Sequence, residues 1–265
     1  MTGTRAAAVV LDWGGTITPS PDADLRDLWR AVAWVCLPGQ PDRRRELAGS
    51  LEAVEKHWWA AAPPGTRTGT LTEILAEASR QLGFDVGAAA RHVAVSGALD
   101  ARVPHTVCDP DALLLLHLLR VRGLRVGLLT DTRWPPDWHS RWLARDGLLG
   151  LLDARTYTSE LPFSKPHPGA FHTALAALHV HDPRSAVFVG DRLDADIAGA
   201  RAVGMRTVLL EDGAARPPVA GGGLAADRSM PDAVIGHLGG LLEVLDGWGA
   251  PSRHRAELAP APGPV

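Results

Sequence analysis

Three acidic residues stand at or just beyond the ends of short apolar runs, where carboxylates can do chemistry. Asp12 ends the run Ala7–Leu11, Asp191 follows Ala186–Val189 after one glycine, and Asp196 comes shortly afterwards. An aspartate in such a place can simply cap a helix. A carboxylate can also act as a covalent nucleophile, and paired acids suit Mg²⁺, a hard cation that takes oxygen ligands. The acids therefore favour nucleophilic or metal-assisted chemistry.

A hydroxyl group and a lysine add the means to bind a phosphate. Thr130 follows the apolar run Arg125–Leu129 and precedes Asp131, and its hydroxyl can hold a phosphate oxygen. Lys165 is one of only two lysines in the chain and lies where a helical pattern begins. There its ammonium group can neutralise a nucleophilic carboxylate beside a phosphate. Together these residue types indicate a site for a phosphorylated ligand.

Such residues need a scaffold that brings strand ends together, and the sequence predicts one. Short apolar runs bounded by Gly and Asp alternate with helical patterns, which is typical of parallel strands joined by crossover helices. We therefore predict an α/β fold with a doubly wound parallel-sheet core. Ligands of such sheets bind beyond the carboxyl ends of the strands. The clearest strands are residues 7–11, 125–129, 186–189 and 207–210.

The stretch between the first two predicted strands has helical periodicity and little sign of a strand. It predicts four amphipathic helices separated by Pro and Gly, at 27–37, 43–61, 71–82 and 86–99. We expect a helical cap over residues 19–104, placed to exclude water and select substrates.

The remainder of the chain completes the predicted core, which comprises residues 1–18 and 105–249. Within it, residues 231–245 predict a short strand or turn followed by a closing helix. Two segments are rich in Gly, Ala and Pro and are expected to be flexible. These segments are residues 213–229 and 250–265.

Composition argues against several classes of protein. The chain has 265 residues and a formal net charge of −3, which provides no general attraction to nucleic acid phosphates. Cys36 and Cys108 lack the spacing of a zinc or disulfide site, so a reduced cytoplasmic protein is expected. No stretch approaches the roughly 20 apolar residues of a membrane span, and the first apolar run is too short for a signal peptide. We expect neither nucleic acid nor a membrane as a partner.

In this order and context, the motifs resemble those of the haloacid dehalogenase-like superfamily. The resemblance extends from Ala6 to Leu245, nearly the whole of the predicted folded chain. Any one motif is weak, but four in register are specific. The four motifs are DWGGT from residue 12, LLTD from residue 128, SKPHP from residue 164 and VGDRLDAD from residue 189.

The resemblance implies a magnesium-dependent hydrolase that acts on a small phosphorylated molecule. In such an enzyme Asp12 would be the nucleophile and would form an aspartyl-phosphate, assisted by Lys165. The resemblance assigns Mg²⁺ to Asp12, the backbone carbonyl of Gly14 and Asp191. Asp196 would either complete the shell through water or hold the site in shape. The residues that the resemblance assigns to the phosphoryl group are Trp13, Gly15, Thr130, Asp131 and Lys165, the first two through backbone N–H groups.

The first motif departs at Gly14 from the pattern of the family's phosphatases. In those enzymes an aspartate at this position protonates the leaving oxygen, an effect of roughly 10²–10⁴-fold in rate. Glycine keeps a backbone carbonyl for the metal but has no proton to donate. Another acid can serve instead, such as Asp131, His167 or a residue of the cap, or the substrate can have a good leaving group.

Two alternatives stay open. The first motif is also similar to that of phosphonoacetaldehyde hydrolase, which cleaves a carbon–phosphorus bond after a cap lysine forms a Schiff base. Lys56 is the only lysine of the predicted cap, but it equally fits a solvent-exposed pair with Glu52. In the second alternative, the chain is a catalytically silent protein that binds phosphate or metal. Buried like charges without a metal are unfavourable, which argues against this alternative for the intact set of Asp12, Lys165, Asp191 and Asp196.

Tryptophans are unusually frequent, with nine in the chain. Trp13, beside the predicted nucleophile, is expected at the wall of the pocket. Packing in the core is predicted for those that fall on apolar helix faces, namely Trp29, Trp34, Trp58, Trp59, Trp134, Trp138 and Trp142.

Overall fold

A parallel β-sheet forms the centre of the molecule, in a computed structural model that describes residues 6–19, 25–101, 107–211 and 230–249. The strands of this sheet are β1 (Ala8–Leu11), β2 (Arg125–Thr130), β3 (Ala154–Tyr157), β4 (Ala186–Gly190), β5 (Arg206–Leu210) and β6 (Ala233–Ile235). Their order is β3-β2-β1-β4-β5-β6, and every neighbouring pair is parallel. Because the chain runs outward from β1 in both directions, the predicted doubly wound α/β core is confirmed.

Helices connect the strands and cover the sheet. The α-helices of the described residues are α1 (Leu25–Cys36), α2 (Pro41–Ala61), α3 (Leu71–Gln81), α4 (Ala88–Asp100), α5 (Pro110–Val121), α6 (Pro136–Arg145), α7 (Pro168–Ala177), α8 (Ala198–Ala202) and α9 (Leu241–Gly247). Several begin at a proline, whose fixed φ and missing N–H suit the first helical position. None of them combines the length and apolar character that a membrane-spanning helix requires.

Apolar side chains on the two faces of the sheet form two clusters. Along β1, Val9 and Leu11 belong to one cluster, and Ala8 and Val10 belong to the other. Helices α5, α6 and α9 contribute to the first cluster, and α7 and α8 contribute to the second. All four residues of β1 are fully buried. A central strand buried on both faces appears in sequence as a continuous apolar run, which is why the sequence predicts it.

Helices α1 to α4 (residues 25–100) form a unit that we call the helical insertion. Helix α1 packs on α2 and α4, and α3 packs on the same two helices. Their buried residues, such as Trp29, Leu51 and Ile74, belong to the same cluster as one face of the sheet. The four helices that the sequence predicts for this region are confirmed, with ends that differ by no more than two residues.

Some expectations fail for physical reasons. The edge strand β3 is missed, because only the last two of its four residues are buried and no apolar run marks it. The prediction of core packing is wrong for Trp34 and Trp59, which are 62% and 60% exposed. Each lies one residue away from the buried stripe of its helix. The segments predicted to be flexible, 213–229 and 250–265, lie outside the described residues.

Candidate active site

The carboxyl ends of three neighbouring strands bring the predicted site residues to one edge of the sheet. Strand β1 lies between β2 and β4, and all three run in the same direction. Asp12, Thr130 and Asp191 stand at or just beyond the ends of these strands. Asp12 and Thr130 are 5% and 3% exposed. The predicted convergence of strand ends is therefore present, and Asp12 and Thr130 are closed to most solvent.

The chain turns sharply after the first strand. The carbonyl of Trp13 accepts hydrogen bonds from the N–H groups of Ile17 and Thr18, each at 2.9 Å. Gly15 has a φ of +85°, which favours glycine. Its N–H donates to the carbonyl of Thr18 at 2.7 Å. The N–H of Gly15 is thus used inside the turn, and its role in phosphate binding stays a prediction. The N–H groups of Trp13 and Gly14 have no acceptor among the described residues.

A buried lysine joins two of the carboxylates at this edge. Nζ of Lys165 lies 2.6 Å from Oδ1 of Asp12 and 2.6 Å from Oδ1 of Asp196. The three side chains are 2%, 7% and 0% exposed, respectively. A charge at such depth is strongly destabilising unless an opposite charge and hydrogen bonds compensate it. The lysine therefore stabilises a carboxylate pair that would otherwise repel, as the sequence predicts for Lys165 and Asp12.

Asp196 reaches the cluster because of the turn that follows β4. A π-helical turn spans Leu193–Ile197, and Oδ2 of Asp196 accepts a hydrogen bond from the N–H of Arg192 at 3.1 Å. Such turns recur at functional sites. A Cβ at Gly190 would lie 2.4 Å from the same oxygen, so the position requires glycine. Sequence analysis missed this requirement, although a glycine directly before Asp191 was the available signal.

Burial shifts the pKa values of the acids in the direction that disfavours charge. It raises the pKa of Asp12 to about 7, against the attraction of Lys165. It raises the pKa of Asp191 to about 6, with a further contribution from the negative charge of Asp196. Burial opposes the charged form of Lys165 as well, but the neighbouring carboxylates outweigh it and raise the pKa of this ammonium group. The site therefore has more acids than cations to neutralise them.

The carboxylates provide a fit for a divalent cation. One oxygen from each of Asp12, Asp191 and Asp196 lies within 4.8 Å of the others. Oδ1 of Asp191 is buried and has no hydrogen-bond partner among the described residues, and buried polar atoms normally have one. The donors are all carboxylate oxygens, which suit Mg²⁺ better than a softer metal. The residues present therefore fit the cation that the sequence predicts.

Asp131, predicted to bind phosphate, has a positioning contact. Its Oδ1 accepts a hydrogen bond from the backbone N–H of Lys165 at 2.9 Å. Burial raises the pKa of this carboxyl group, although the positive charge of Lys165 acts in the opposite direction. The side chain thus connects the segment after Thr130 to the segment that presents the lysine.

His139 is buried beside the segment that follows Thr130. Its ring is 5.1 Å from Trp13 in an edge-on contact and stacks on Tyr157 at 5.0 Å. Its Nε2 is 2.7 Å from the hydroxyl of Thr132. Burial lowers the pKa of His139 to about 3, so the imidazole is neutral. Trp13 itself is 4% exposed and packs in the core, and its place at the pocket wall stays a prediction.

Gly14 has space for the side chain that it lacks. A Cβ at this position would meet no atom within 4 Å. His167, one predicted substitute for the missing acid, is exposed and stacks on Phe163 at 4.6 Å. Its Nδ1 accepts a hydrogen bond from the N–H of Gly169 at 3.0 Å, at the start of α7. These contacts make His167 a helix cap and provide no support for a role in proton donation.

Lys56 lies on an exposed face of α2. No hydrogen bond or ion pair joins it to Glu52, or to any other residue, in the part of the chain that the structure describes. The pair with Glu52, one of the two interpretations open for this lysine, is therefore absent from the described residues. The lysine that contacts the nucleophile is Lys165.

Comparisons with known proteins agree with this arrangement. A sequence profile of the HAD-hydrolase-like family matches residues 162–241. A curated phosphatase of Mycobacterium tuberculosis is 30% identical over 218 residues, which cover 79% of this chain and 89% of that protein. The chain belongs to the haloacid dehalogenase-like hydrolase family. Its strand-end acids and buried lysine are thus found in the context of a hydrolase family.

Other relatives in this family match a smaller part of the chain. A glyceraldehyde 3-phosphate phosphatase of Methanopyrus kandleri is 33% identical over 134 residues, which cover 51% of this chain and 56% of that protein. A phosphoserine phosphatase of Thermus thermophilus is 36% identical over 104 residues, which cover 39% of this chain and 41% of that protein. The chain therefore spans about half the length of the curated relatives that it matches here.

Two solved structures of the family share the fold. A phosphatase of Thermococcus onnurineus superposes with a TM-score of 0.61 at 21% identity, over 92% of this chain and 99% of that chain. A 2-haloacid dehalogenase of Pseudomonas syringae pv. Tomato superposes with a TM-score of 0.65 at 22% identity, over the same shares. At this identity the likeness concerns the fold alone, and it does not distinguish the two reactions.

Proposed function

We propose that this member of the haloacid dehalogenase-like family is a magnesium-dependent phosphatase that acts on small phosphorylated metabolites through an aspartyl-phosphate. The observation that carries the proposal is the buried contact of Lys165 with Asp12 and Asp196 at the carboxyl edge of the sheet. The curated relatives named as phosphatases support it. The paired acids Asp191 and Asp196 favour phosphoryl transfer over dehalogenation. The family resemblance implies that its dehalogenases need no metal, so the two acids would be superfluous in them.

The proposed reaction has two steps on one carboxylate. Asp12 attacks phosphorus, the bond from phosphorus to the leaving oxygen breaks, and an aspartyl-phosphate forms. Water then attacks phosphorus, which releases inorganic phosphate and regenerates Asp12. The hydroxyl of Thr130 and the ammonium group of Lys165 hold the phosphoryl oxygens as charge develops on them. Lys165 also favours the ionised form of Asp12, which is the nucleophilic form.

The acids of the site have a second task, which is to hold the cation. Asp12, Asp191, Asp196 and the carbonyl of Gly14 would bind Mg²⁺, which when bound screens the repulsion between an anionic nucleophile and an anionic substrate. Lys165 alone does not complete this neutralisation, because the pKa of Asp12 remains raised to about 7 despite the contact.

The substrate range follows from Gly14. This residue has no side chain that can protonate the leaving oxygen, so a substrate that needs such help reacts slowly. Acyl and aryl phosphates have good leaving groups and are the expected fast substrates. The helical insertion acts as the cap that selects among them, since it contacts the lysine segment through the hydrogen bond from the N–H of Ser164 to the carbonyl of Gly65 at 2.9 Å.

Nothing in the described residues favours the two alternatives. Carbon–phosphorus cleavage through a Schiff base needs a desolvated lysine beside the substrate, whereas Lys56 is exposed. A silent binding protein has no need for a nucleophile held in a buried contact with a lysine.

The decisive experiment compares two aspartate variants. We expect the wild-type protein to hydrolyse acetyl phosphate and p-nitrophenyl phosphate with Mg²⁺ and to lose this activity with EDTA. Asp12→Asn should lower the rate by roughly 10³-fold or more, because it removes the nucleophile. Asp194→Asn is the matched control, because Asp194 pairs with Arg192 at 3.2 Å and is partly exposed. It should retain most of the rate. Equal rates for Asp12→Asn and the wild type would contradict the proposal.

A further inference from the structure

A partly buried ion pair connects the helical insertion to the segment that follows Thr130. In this segment Nη1 of Arg133 lies 2.7 Å from Oε1 of Glu55 on α2, and the two side chains are 16% and 13% exposed. Oε2 of Glu55 accepts a hydrogen bond from Nε1 of Trp29 on α1, also at 2.7 Å. Each carboxylate oxygen of Glu55 therefore has a partner, one in the segment after Thr130 and the other in α1.

Arg133 makes two further contacts with the helical insertion. Its guanidinium carbon lies 4.6 Å from the centroid of the Trp59 ring, a cation–π contact. Its backbone carbonyl accepts a hydrogen bond from the N–H of Leu71 at 3.0 Å. Leu71 is the first residue of α3, and N–H groups in the first turn of a helix have no acceptor inside that helix. One residue of the core thus touches α2 and α3, and it touches α1 through Glu55.

The residues before Arg133 are attached to the phosphate side of the site. Asp131 accepts the N–H of Lys165 at 2.9 Å, and the N–H of Thr132 donates to Oγ1 of Thr158 at 3.0 Å. Asp131 therefore contacts the segment that presents Lys165, Thr132 contacts the core, and Arg133 contacts the helical insertion. Arg133 is only three residues after Thr130. A displacement of the insertion that moves Arg133 therefore acts close to the phosphate side of the site.

We propose that Arg133 is a positioning residue that couples the helical insertion to the phosphate-binding segments. Through Glu55 and Leu71 it holds the insertion in register with Thr130 and Lys165, so that closure of the insertion and assembly of the site occur together. A pair with little solvent exposure suits this purpose, because separating it leaves a poorly compensated charge on each side and makes partial opening unfavourable.

The coupling has a consequence for catalysis, and this part rests on the proposed function. When only a fraction of the molecules is in the competent state, the apparent affinity for ligand is the intrinsic affinity multiplied by that fraction. A variant that breaks the pair lowers that fraction. With p-nitrophenyl phosphate, KM should therefore rise by a larger factor than kcat falls.

The coupling itself is tested without any substrate, by hydrogen exchange at two backbone amides. The N–H of Leu71 donates to Arg133, and the N–H of Ser164 donates to Gly65. Both hydrogen bonds join the helical insertion to the core, but at separate places. In Arg133→Gln and Glu55→Gln, we expect exchange to be about tenfold faster, or more, at both amides.

An exposed ion pair between the same two regions provides the matched control. Arg141 on α6 lies 3.1 Å from Asp100 on α4, and their side chains are 49% and 51% exposed. Arg141→Gln should leave exchange at Leu71 and Ser164 within about threefold of the wild type, because exposed pairs contribute little. Unchanged exchange at both amides in Arg133→Gln would overturn the proposal, and so would acceleration at Leu71 alone.

Two further measurements separate coupling from general damage. Amides of β1 and β4 report global unfolding, and we expect the variants to leave their exchange slow. Should Arg133→Gln fail to fold, Arg133→Lys keeps the charge without the guanidinium geometry and should give intermediate exchange. Faster exchange at both amides in a protein without phosphatase activity would support the coupling and reject the proposed function, which keeps the two failures distinguishable.

Discussion

The carboxyl edge of the sheet and the helical insertion use charge in opposite ways. At the edge, Lys165 and Asp196 are almost fully buried and lie 2.6 Å apart. In the insertion, Arg30 and Asp27 pair across one turn of a helix, with side chains 69% and 72% exposed. Exposed pairs typically contribute 0–1 kcal/mol, whereas removing one partner of a buried pair costs about 3–5 kcal/mol.

This difference shows which part of the molecule can change its sequence without loss of the site. The edge is constrained by charge, because each buried group depends on its neighbours. The insertion is constrained mainly by its apolar stripe, so its polar surface is free to vary. The pair of Arg133 and Glu55 is intermediate, since it joins the core to the insertion and its side chains are 16% and 13% exposed.

The largest expected effect tests whether the edge lacks one acid. Gly14→Asp should raise the turnover of an alkyl phosphate by about 10²–10⁴-fold, because it supplies a proton donor. The position has an ordinary φ and open space around a Cβ. Turnover of p-nitrophenyl phosphate should change far less, since its leaving group needs no proton.

Gly14→Asn is the control for this substitution, because it has nearly the same shape and no acidic proton. It should leave the alkyl phosphate as slow as in the wild type. Equal gains for Asp and Asn, or the same gain with both substrates, would show that another residue already donates the proton.

The next effect measures the electrostatic cost at the edge. Lys165→Met should lower the free energy of unfolding by about 3–5 kcal/mol at pH 8 in EDTA, because Asp12 and Asp196 lose the ammonium group that contacts both of them. Without the lysine, the pKa of Asp12 rises further above its unfolded value, so stability recovers as the pH falls. Urea unfolding at pH 8 and pH 5 measures both quantities.

The other lysine provides the comparison from the insertion. Lys56→Met should change stability by less than about 0.5 kcal/mol at either pH, as is usual for an exposed side chain. A similar loss for the two lysine variants would remove the contrast between the edge and the insertion.

A smaller effect concerns the neutral histidine behind the edge. The folded pKa of His139 is about 3, below the ordinary value of 6.5. The unfolded chain therefore binds a proton first, and stability is lost as the pH falls from about 6.5 towards 3. Between pH 7 and pH 5, His139 should account for about 2 kcal/mol of this loss.

Urea unfolding of His139→Gln should lack that part of the pH dependence. His172→Gln, which alters an exposed histidine of α7, should keep the dependence of the wild type. A wild-type slope in His139→Gln would mean that this ring is protonated in the folded state.

Sequence predicts the features that depend on local pattern. The apolar run of strand β1 predicts it, because burial on both faces leaves such a run, whereas the half-buried β3 has none. The convergence of Asp12, Thr130 and Asp191 follows from the direction of parallel strands. The breaks made by Pro and Gly gave the helices of the insertion to within two residues.

Sequence did not predict contacts between distant segments. Glu55 and Arg133 are 78 residues apart, and nothing in their spacing indicates that they meet. The hydrogen bond from Gly15 to Thr18 is equally hidden, since it depends on how tightly the turn closes. Trp34 shows the limit for helices, because a shift of one residue rotates a side chain by about 100° and moves it from the core to the surface.

The smallest effect separates two tryptophans of the insertion that are almost equally exposed. Trp59 has Arg133 over its ring at 4.6 Å, while Trp34 has no ring contact or cation within the described residues. Trp59→Leu should lower the free energy of unfolding by about 0.5–1 kcal/mol, the usual value of an exposed cation–π contact. Trp34→Leu should have no measurable effect on urea unfolding. Because Trp59 helps to hold Arg133 in place, its variant should also accelerate exchange at Leu71, and a result identical to that of Trp34→Leu would place Trp59 with the freely variable surface.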